Sequence, residues 1–408
     1  MRASKSGEAG EGVPRRFVIT ALICGIFGIA GWAFDLWFFR TAPAQDWMEF
    51  YTAAQAYFVG NLPLVFDGGA LTAAINQRFA SWLTLPLGLH PWVYPPPFLM
   101  LFLPFGALSP LTSAVLFLLA GWAASLAVGW RYAARNVPRW PIIGTLLLCP
   151  AVPFNVLTGQ NAFYTSALLV GGFGVIPSYP LLGGALLGML SVKPQFCLMA
   201  GVALVAARQW RAIGGAVATA CLLALFSVLV FGLDIWRAWL GLVFGGNELY
   251  QDWINVGRLN GISVYACVNW LGAPGSVASL AQAAAILLAG GIIYWVYRQP
   301  APAATRLAAL LAATVLAAPH VSNSDAVLLG LAASLFVTFA VATDLRPLQL
   351  TIAAAVWISP LFNPPVLFRI GCVTPLLVVM LLMVIVLKIR ERMAPEGAPT
   401  VAPRASYP

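Results

Sequence analysis

The sequence predicts an all-α polytopic membrane protein, and three observations carry that reading. Hydrophobic residues make up 61% of the 408-residue chain. Charged residues make up 9%, against about 25% in an ordinary soluble domain. The apolar residues gather in runs that approach the roughly 20 helical residues needed to cross a bilayer core. The net charge of +9 comes from 22 Lys and Arg against 13 Asp and Glu. These basic residues lie mostly in short loops and at the two ends, which is membrane topology and not a nucleic-acid surface.

Taken in order, residues 1–14 read as a Gly/Pro/Ala/Ser-rich disordered cytoplasmic tail. Arg15 and Arg16 then precede the run 17–34. No Ala-x-Ala-like cleavage site follows, so this run is an anchor span with a cytoplasmic start. The remaining candidate spans are 97–131, 141–157, 161–177, 181–194, 195–207, 212–231, 276–297, 306–319, 325–343, 347–361 and 366–388. Several are short, so some helices are expected to break or to end in a protein-lined cavity. Pro104 and Pro110 interrupt 97–131. Two spans there would leave the basic C-terminal end outside, whereas one kinked span gives about twelve crossings. A re-entrant half-helix fits the same stretch. Twelve crossings place the basic loops Arg131–Arg139, Arg208–Arg211, Arg298–Arg306, Arg346 and Lys388–Arg392 in the cytoplasm. Residues 15–393 then form a single transmembrane domain with external loops 35–96 and 232–275, and 394–408 form a second disordered cytoplasmic tail. The six cysteines are isolated, without a CxxC pair, and read as small buried hydrophobes.

The informative polar residues collect on the non-cytoplasmic face. Asp46 and Glu49 are two of the 13 acids and stand three residues apart, on one face of a helix. They head an amphipathic stretch, 46–59, whose aromatics Trp47, Phe50, Tyr51, Tyr57 and Phe58 suit a headgroup zone. An acidic turn complementing a helix dipole would use the same residues. Lys193, in Ser191-Val192-Lys193-Pro194-Gln195, lies between two apolar runs. A lone ammonium there costs roughly 2.5–3.5 kcal/mol, so a partner or a functional anion is expected. His320 sits in the polar knot Pro319-His320-Val321-Ser322-Asn323-Ser324-Asp325, and the other histidine, His90, reads as a loop residue. Thr158-Gly159-Gln160-Asn161 is a turn with two amides, which donate to and accept from sugar hydroxyls as readily as they cap a helix. Tyr94-Pro95-Pro96 rigidly opens a helix. Loop 232–275 mixes tryptophans, acids, amides and Arg258, as carbohydrate-binding and ordinary interfacial loops both do. No P-loop, GxGxxG, Asp-x-Asp pair or His/Cys cluster is visible, so neither a cofactor nor a divalent metal is expected.

In order, Asp46-Trp47-x-x-Phe50-Tyr51 with Ala53-Ala54 and Gly60, Tyr94-Pro95-Pro96, Gly159-Gln160-Asn161, Lys193-Pro194 and Pro319-His320 through Asp325 resemble glycosyltransferase family 87. These are C-type glycosyltransferases similar to polyprenyl-phosphate-mannose-dependent α-mannosyltransferases. The resemblance implies a C-type fold with juxtamembrane helices in the first external loop. It also implies an inverting transfer of a hexose, mannose by family, from a polyprenyl-phosphate sugar to a lipid or glycan acceptor. The family's base maps onto Asp46, ionised at neutral pH as the role demands. Lys193 is then the first candidate for the donor phosphate, assisted by His320 and Arg258. Glu49, Tyr94, Gln160 and Asn161 would hold sugar or acceptor. The setting is a bacterial inner membrane, multi-pass, with the site outside. The competing class is a secondary transporter or lipid flippase in which Asp46, Lys193, His320 and Asp325 line an ion path. A non-catalytic lipid-binding subunit is a third.

Overall fold

The computed structural model describes residues 15–132, 140–245, 261–341, 346–362 and 373–393, and among these there are helices and turns but no strands. The long helix α1 (Arg15–Phe38) turns its apolar side outward: Leu22 and Ile26 are 63% and 67% exposed. Such a surface is stable against lipid, not against water. A short turn leads to α2 (Gln45–Phe58) and α3 (Gly68–Arg78). Next come α4 (Pro96–Gly106), α5 (Pro110–Tyr132), α6 (Trp140–Leu148) and α7 (Ala151–Thr158). Then follow α8 (Ala162–Val175), α9 (Pro180–Gly188), α10 (Cys197–Ala206) and α11 (Trp210–Phe231). The chain continues through α12 (Asp234–Phe244), α13 (Val264–Trp270), α14 (Gly275–Arg298) and α15 (Ala303–Ala317). The last three are α16 (Val327–Val341), α17 (Pro347–Ile358) and α18 (Val373–Met393).

Two hydrophobic cores hold these helices. The larger is built around α15 and α16, which pack on each other and are buried along most of their length. Its few polar groups satisfy one another. Trp357 Nε1 donates to Thr145 Oγ1 at 3.0 Å, and Thr145 also bonds Ser334, tying α6, α16 and α17 together. Gln282 of α14 donates to the carbonyls of Leu316 and Ala317 at 3.1 and 3.2 Å, satisfying the otherwise orphaned end of α15. Where α9 meets α11, a side chain at Gly184 or Gly215 would collide with the facing backbone, so small residues set that close approach.

The second core is aromatic and lies under α2, α3, α4 and α5. Phe50 packs edge-on against Trp92, Tyr94, Phe98, Phe102 and Phe117. The aromatics of α2 are therefore not a headgroup belt. Trp47, Phe50 and Tyr51 are interior, and only its C-terminal end, at Phe58, is well exposed. Helix α2 looked amphipathic because its second apolar face was hidden among short side chains: Ala53, Ala54 and Ala56 are buried too.

Five helices among the described residues are long and apolar enough to span a membrane: 15–41, 110–131, 210–231, 275–298 and 373–393. Helices α6 and α7, bent by 50° at their break, make a sixth if counted as one. Pro150 stands at that break. The other expected spans are helices of 10–17 residues. A 15-residue helix is about 22 Å long, short of a hydrocarbon core of about 30 Å. The stretch 97–131 is two helices and not one kinked span. Pro104 lies inside α4, and the chain breaks at 107–109 because Pro110 opens α5 afresh. Among the cysteines, Cys24, Cys149, Cys197 and Cys221 are free, whereas Cys267 is in a disulfide, which corrects its reading as a buried hydrophobe.

Candidate active site

Helix α2 begins abruptly. Ala44 adopts a left-handed conformation, φ 55°, and its N–H donates to the Leu157 carbonyl at 2.6 Å, fixing the helix start on the end of α7. The next turn is equally constrained. Gly159 has φ 76°, and a side chain there would overlap Trp47. Only glycine meets both demands without strain. The turn 158–161 and the first turn of α2 are thus in direct contact, and Asp46 and Glu49 follow from there.

Asp46 and Glu49 both face His90. Its Nε2 lies 3.0 Å from Asp46 Oδ1 and 3.4 Å from Glu49 Oε2. Helix α3 positions this histidine. Thr72 Oγ1 accepts from the His90 N–H at 2.9 Å, and Asn76 grips Leu87 through two bonds of 2.7 and 3.0 Å. The three side chains differ in exposure. Asp46 and His90 keep 20% and 16% of theirs in solvent, and Glu49 keeps 6%. Burial, and then the Asp46 charge beside it, pushes the Glu49 carboxyl well above the usual carboxylate range.

A second group lies across Tyr94. Lys193 sits where the apolar run between α9 and α10 breaks into short 3-10 turns on either side of it. Its Nζ donates to Asp325 Oδ1 at 2.6 Å and to Asn161 Oδ1 at 3.1 Å, and the ammonium is buried. The other carboxylate oxygen of Asp325 accepts from the Ser322 N–H at 3.2 Å, capping the turn 323–326. The expected partner of Lys193 is therefore Asp325. Three ammonium hydrogens serve two acceptors here, so one donor remains. Asn161 Nδ2 is also buried and without a hydrogen-bond partner.

Tyr94 links the two groups. Its hydroxyl donates to Gln160 Oε1 at 3.0 Å. Its phenol is raised well above the ordinary range, by burial first and then by the charges of Asp325, Asp46 and Glu49. Tyr94 is thus near enough to both the carboxylates of α2 and Asp325 to feel their charges. His320 is exposed at the rim, with its carbonyl 3.5 Å from Gln195 Nε2. Arg258 lies outside the described residues.

The fold therefore assembles Asp46, Glu49, Tyr94, Gln160, Asn161 and Lys193 from four chain segments. Two participants were not singled out by the sequence. His90 was read as a plain loop residue, although it is one of two histidines and shares its loop with both acids. Asp325 was legible only as the end of a polar knot and as a member of the alternative ion path, not as the partner of Lys193 in this site. Beyond the Asp-x-Asp pair and His/Cys cluster that the sequence lacks, the fold makes a mixed group: ligand atoms of Asp46, Glu49 and His90 all lie within 4.8 Å of one another. Residue spacing could not reveal it, since 41 residues of chain separate Glu49 from His90.

The sequence model of glycosyltransferase family 87 matches residues 92–319, more than half of the chain. The chain belongs to glycosyltransferase family 87. It is a membrane glycosyltransferase, which uses a sugar donor and an acceptor. No curated protein and no solved structure matches it. The family match takes in Tyr94, Gln160, Asn161 and Lys193 and ends one residue before His320. Asp46, Glu49, His90 and Asp325 lie outside it and join the site through the fold.

Proposed function

We propose that this family 87 protein moves a hexose from a polyprenyl phosphate to a lipid or glycan acceptor on the non-cytoplasmic face of a bacterial inner membrane. Mannose is the sugar that the family resemblance favours. The arrangement is C-type, with about twelve crossings. The acceptor oxygen attacks the anomeric carbon opposite the phosphate. Its proton passes to Asp46, the bond from carbon to phosphate oxygen breaks, and the phosphate leaves with the bonding pair. The anomeric centre inverts.

One observation carries this reading: a buried ammonium and a buried, unpartnered amide donor, on Lys193 and Asn161, lie beside Gln160, which Tyr94 joins to the neighbourhood of Asp46. Preorganised donors of that kind stabilise charge growing on a leaving phosphate. Lys193 retains a donor beyond those given to Asp325 and Asn161, His320 assists from the rim, and Arg258 is a further phosphate partner. Tyr94 and Gln160 hold sugar hydroxyls, and Glu49 orients Asp46 or the acceptor. The disulfide at Cys267, in the loop assigned to the outside, supports this sidedness, because disulfides persist in oxidising compartments.

Membranes carrying the protein, incubated with labelled polyprenyl-phosphate mannose, test it. Label should move to a lipid or glycan, and Asp46→Asn should abolish the transfer. Transfer at wild-type rate by the Asn variant would remove Asp46 from the role of base. Label that crosses the bilayer without forming a new bond would make the protein a transporter.

A further inference from the structure

We infer that Asp46, Glu49 and His90 form a divalent-cation site. The inference rests on their geometry and burial and not on the identity of donor or acceptor. Each offers one ligand atom, and these atoms lie within 4.8 Å of one another. The separations of 3.0 and 3.4 Å from His90 Nε2 match the edge of a coordination shell. Octahedral bonds of about 2.0–2.1 Å put neighbouring ligands about 3 Å apart.

A second observation points to a missing partner. Glu49 is 4% exposed, and its Oε1 is buried with no hydrogen-bond partner. Among the described residues, the salt bridges of Asp46 and Glu49 go to His90 alone. A buried polar oxygen left without a partner is costly. A cation between the three groups removes that deficit.

The supports are rigid, as a metal site requires. Asp46 and Glu49 share one face of a helix buried on most sides, and His90 is held through its backbone by Thr72. Two carboxylate oxygens and one imidazole nitrogen suit a hard or borderline cation such as Mn²⁺ and leave coordination positions open. With Asp46 bound through one oxygen, its other oxygen stays available to take a proton. A hydroxyl on an open position loses its proton more readily.

Purified full-length protein in detergent, stripped with a chelator and desalted, is titrated with Mn²⁺ while electron paramagnetic resonance follows the free ion. One Mn²⁺ should bind per chain. Glu49→Gln and His90→Ala should each weaken it at least tenfold, and Asp234→Asn, an exposed acid on α12, should leave it unchanged. Thermal unfolding of each variant checks that it is folded, and Mn²⁺ should raise the melting temperature of the wild type but not of Glu49→Gln. Absence of stoichiometric binding to the wild type, or equal affinity in folded Glu49→Gln and His90→Ala proteins, overturns the site. The readout is binding, so it fails independently of the transfer assay: Asp46-dependent transfer without Mn²⁺ binding would leave the proposed function standing and remove the cation.

Discussion

Lys193 and Asp325 form a 2.6 Å ion pair across 132 residues of chain, inside the protein. The pair joins the break between α9 and α10 to the turn that opens α16. Breaking a buried pair by removing one partner leaves the other charge stranded, at a cost of about 3–5 kcal/mol. Asp325→Asn and Lys193→Met should therefore lower the unfolding temperature in detergent sharply. The double variant should be less destabilised than the sum of the two, and additive losses would show that the pair is not coupled in solution.

Asp46→Asn should leave the fold intact while transfer falls about a hundred- to ten-thousandfold, the range for a general base. Asp46 keeps a fifth of its side chain in solvent, and Asn keeps its shape. A melting curve within a degree or two of wild type, measured beside the transfer rate, separates chemistry from misfolding.

Tyr94→Phe removes the bond to Gln160 Oε1 and should cost about 1 kcal/mol. It also yields a pH signature. The phenol is raised in the folded protein, so unfolded chains ionise first as the pH climbs through 10. The unfolded state then holds fewer protons than the native one, and stability falls with rising pH. The wild type should lose stability above about pH 10, and Tyr94→Phe should lose less over the same interval in melts at stepped pH.

Two glycines with nearly the same backbone angle should respond differently to alanine. Gly159 has φ 76° against Trp47, whereas Gly60 has φ 73° in open space. Gly60→Ala should cost about 1 kcal/mol, the left-handed penalty alone. Gly159→Ala adds a collision with the first turn of α2 and should cost more. It should also depress transfer, since Asp46 is the residue before Trp47. Equal effects on stability and activity would show that the 158–161 turn does not fix α2.

Much of this architecture was legible. The apolar runs located most helices, the lone lysine announced a partner, and the order of short motifs named the family. What escaped depended on distance in sequence. Asp325 belongs to Lys193 only after α10 through α15 have been laid between them, and His90 reaches Asp46 only because Asn76 and Thr72 fold its loop back. Local pattern also misjudged α2. A helix whose hidden face is alanine reads as amphipathic, although close packing buries that face as fully as leucine would. The break at 107–109 reads as a kink in the sequence, although a proline at the first helical position, Pro110, starts a helix, whereas Pro104 sits within one.

The aromatic core beneath α2 also limits how such an enzyme can be re-targeted. Phe50 is locked edge-on among five other rings, so exchanging the whole 35–96 segment with that of a relative would transplant half of a hydrophobic interior along with two carboxylates. Such chimeras should fail in assembly before they reveal anything about acceptor choice. Grafts confined to the exposed residues Thr84, Leu85 and Pro86, between Trp82, stacked on Trp47, and the Asn76 clamp at Leu87, would leave that interior whole. They would vary only the exposed surface beside it.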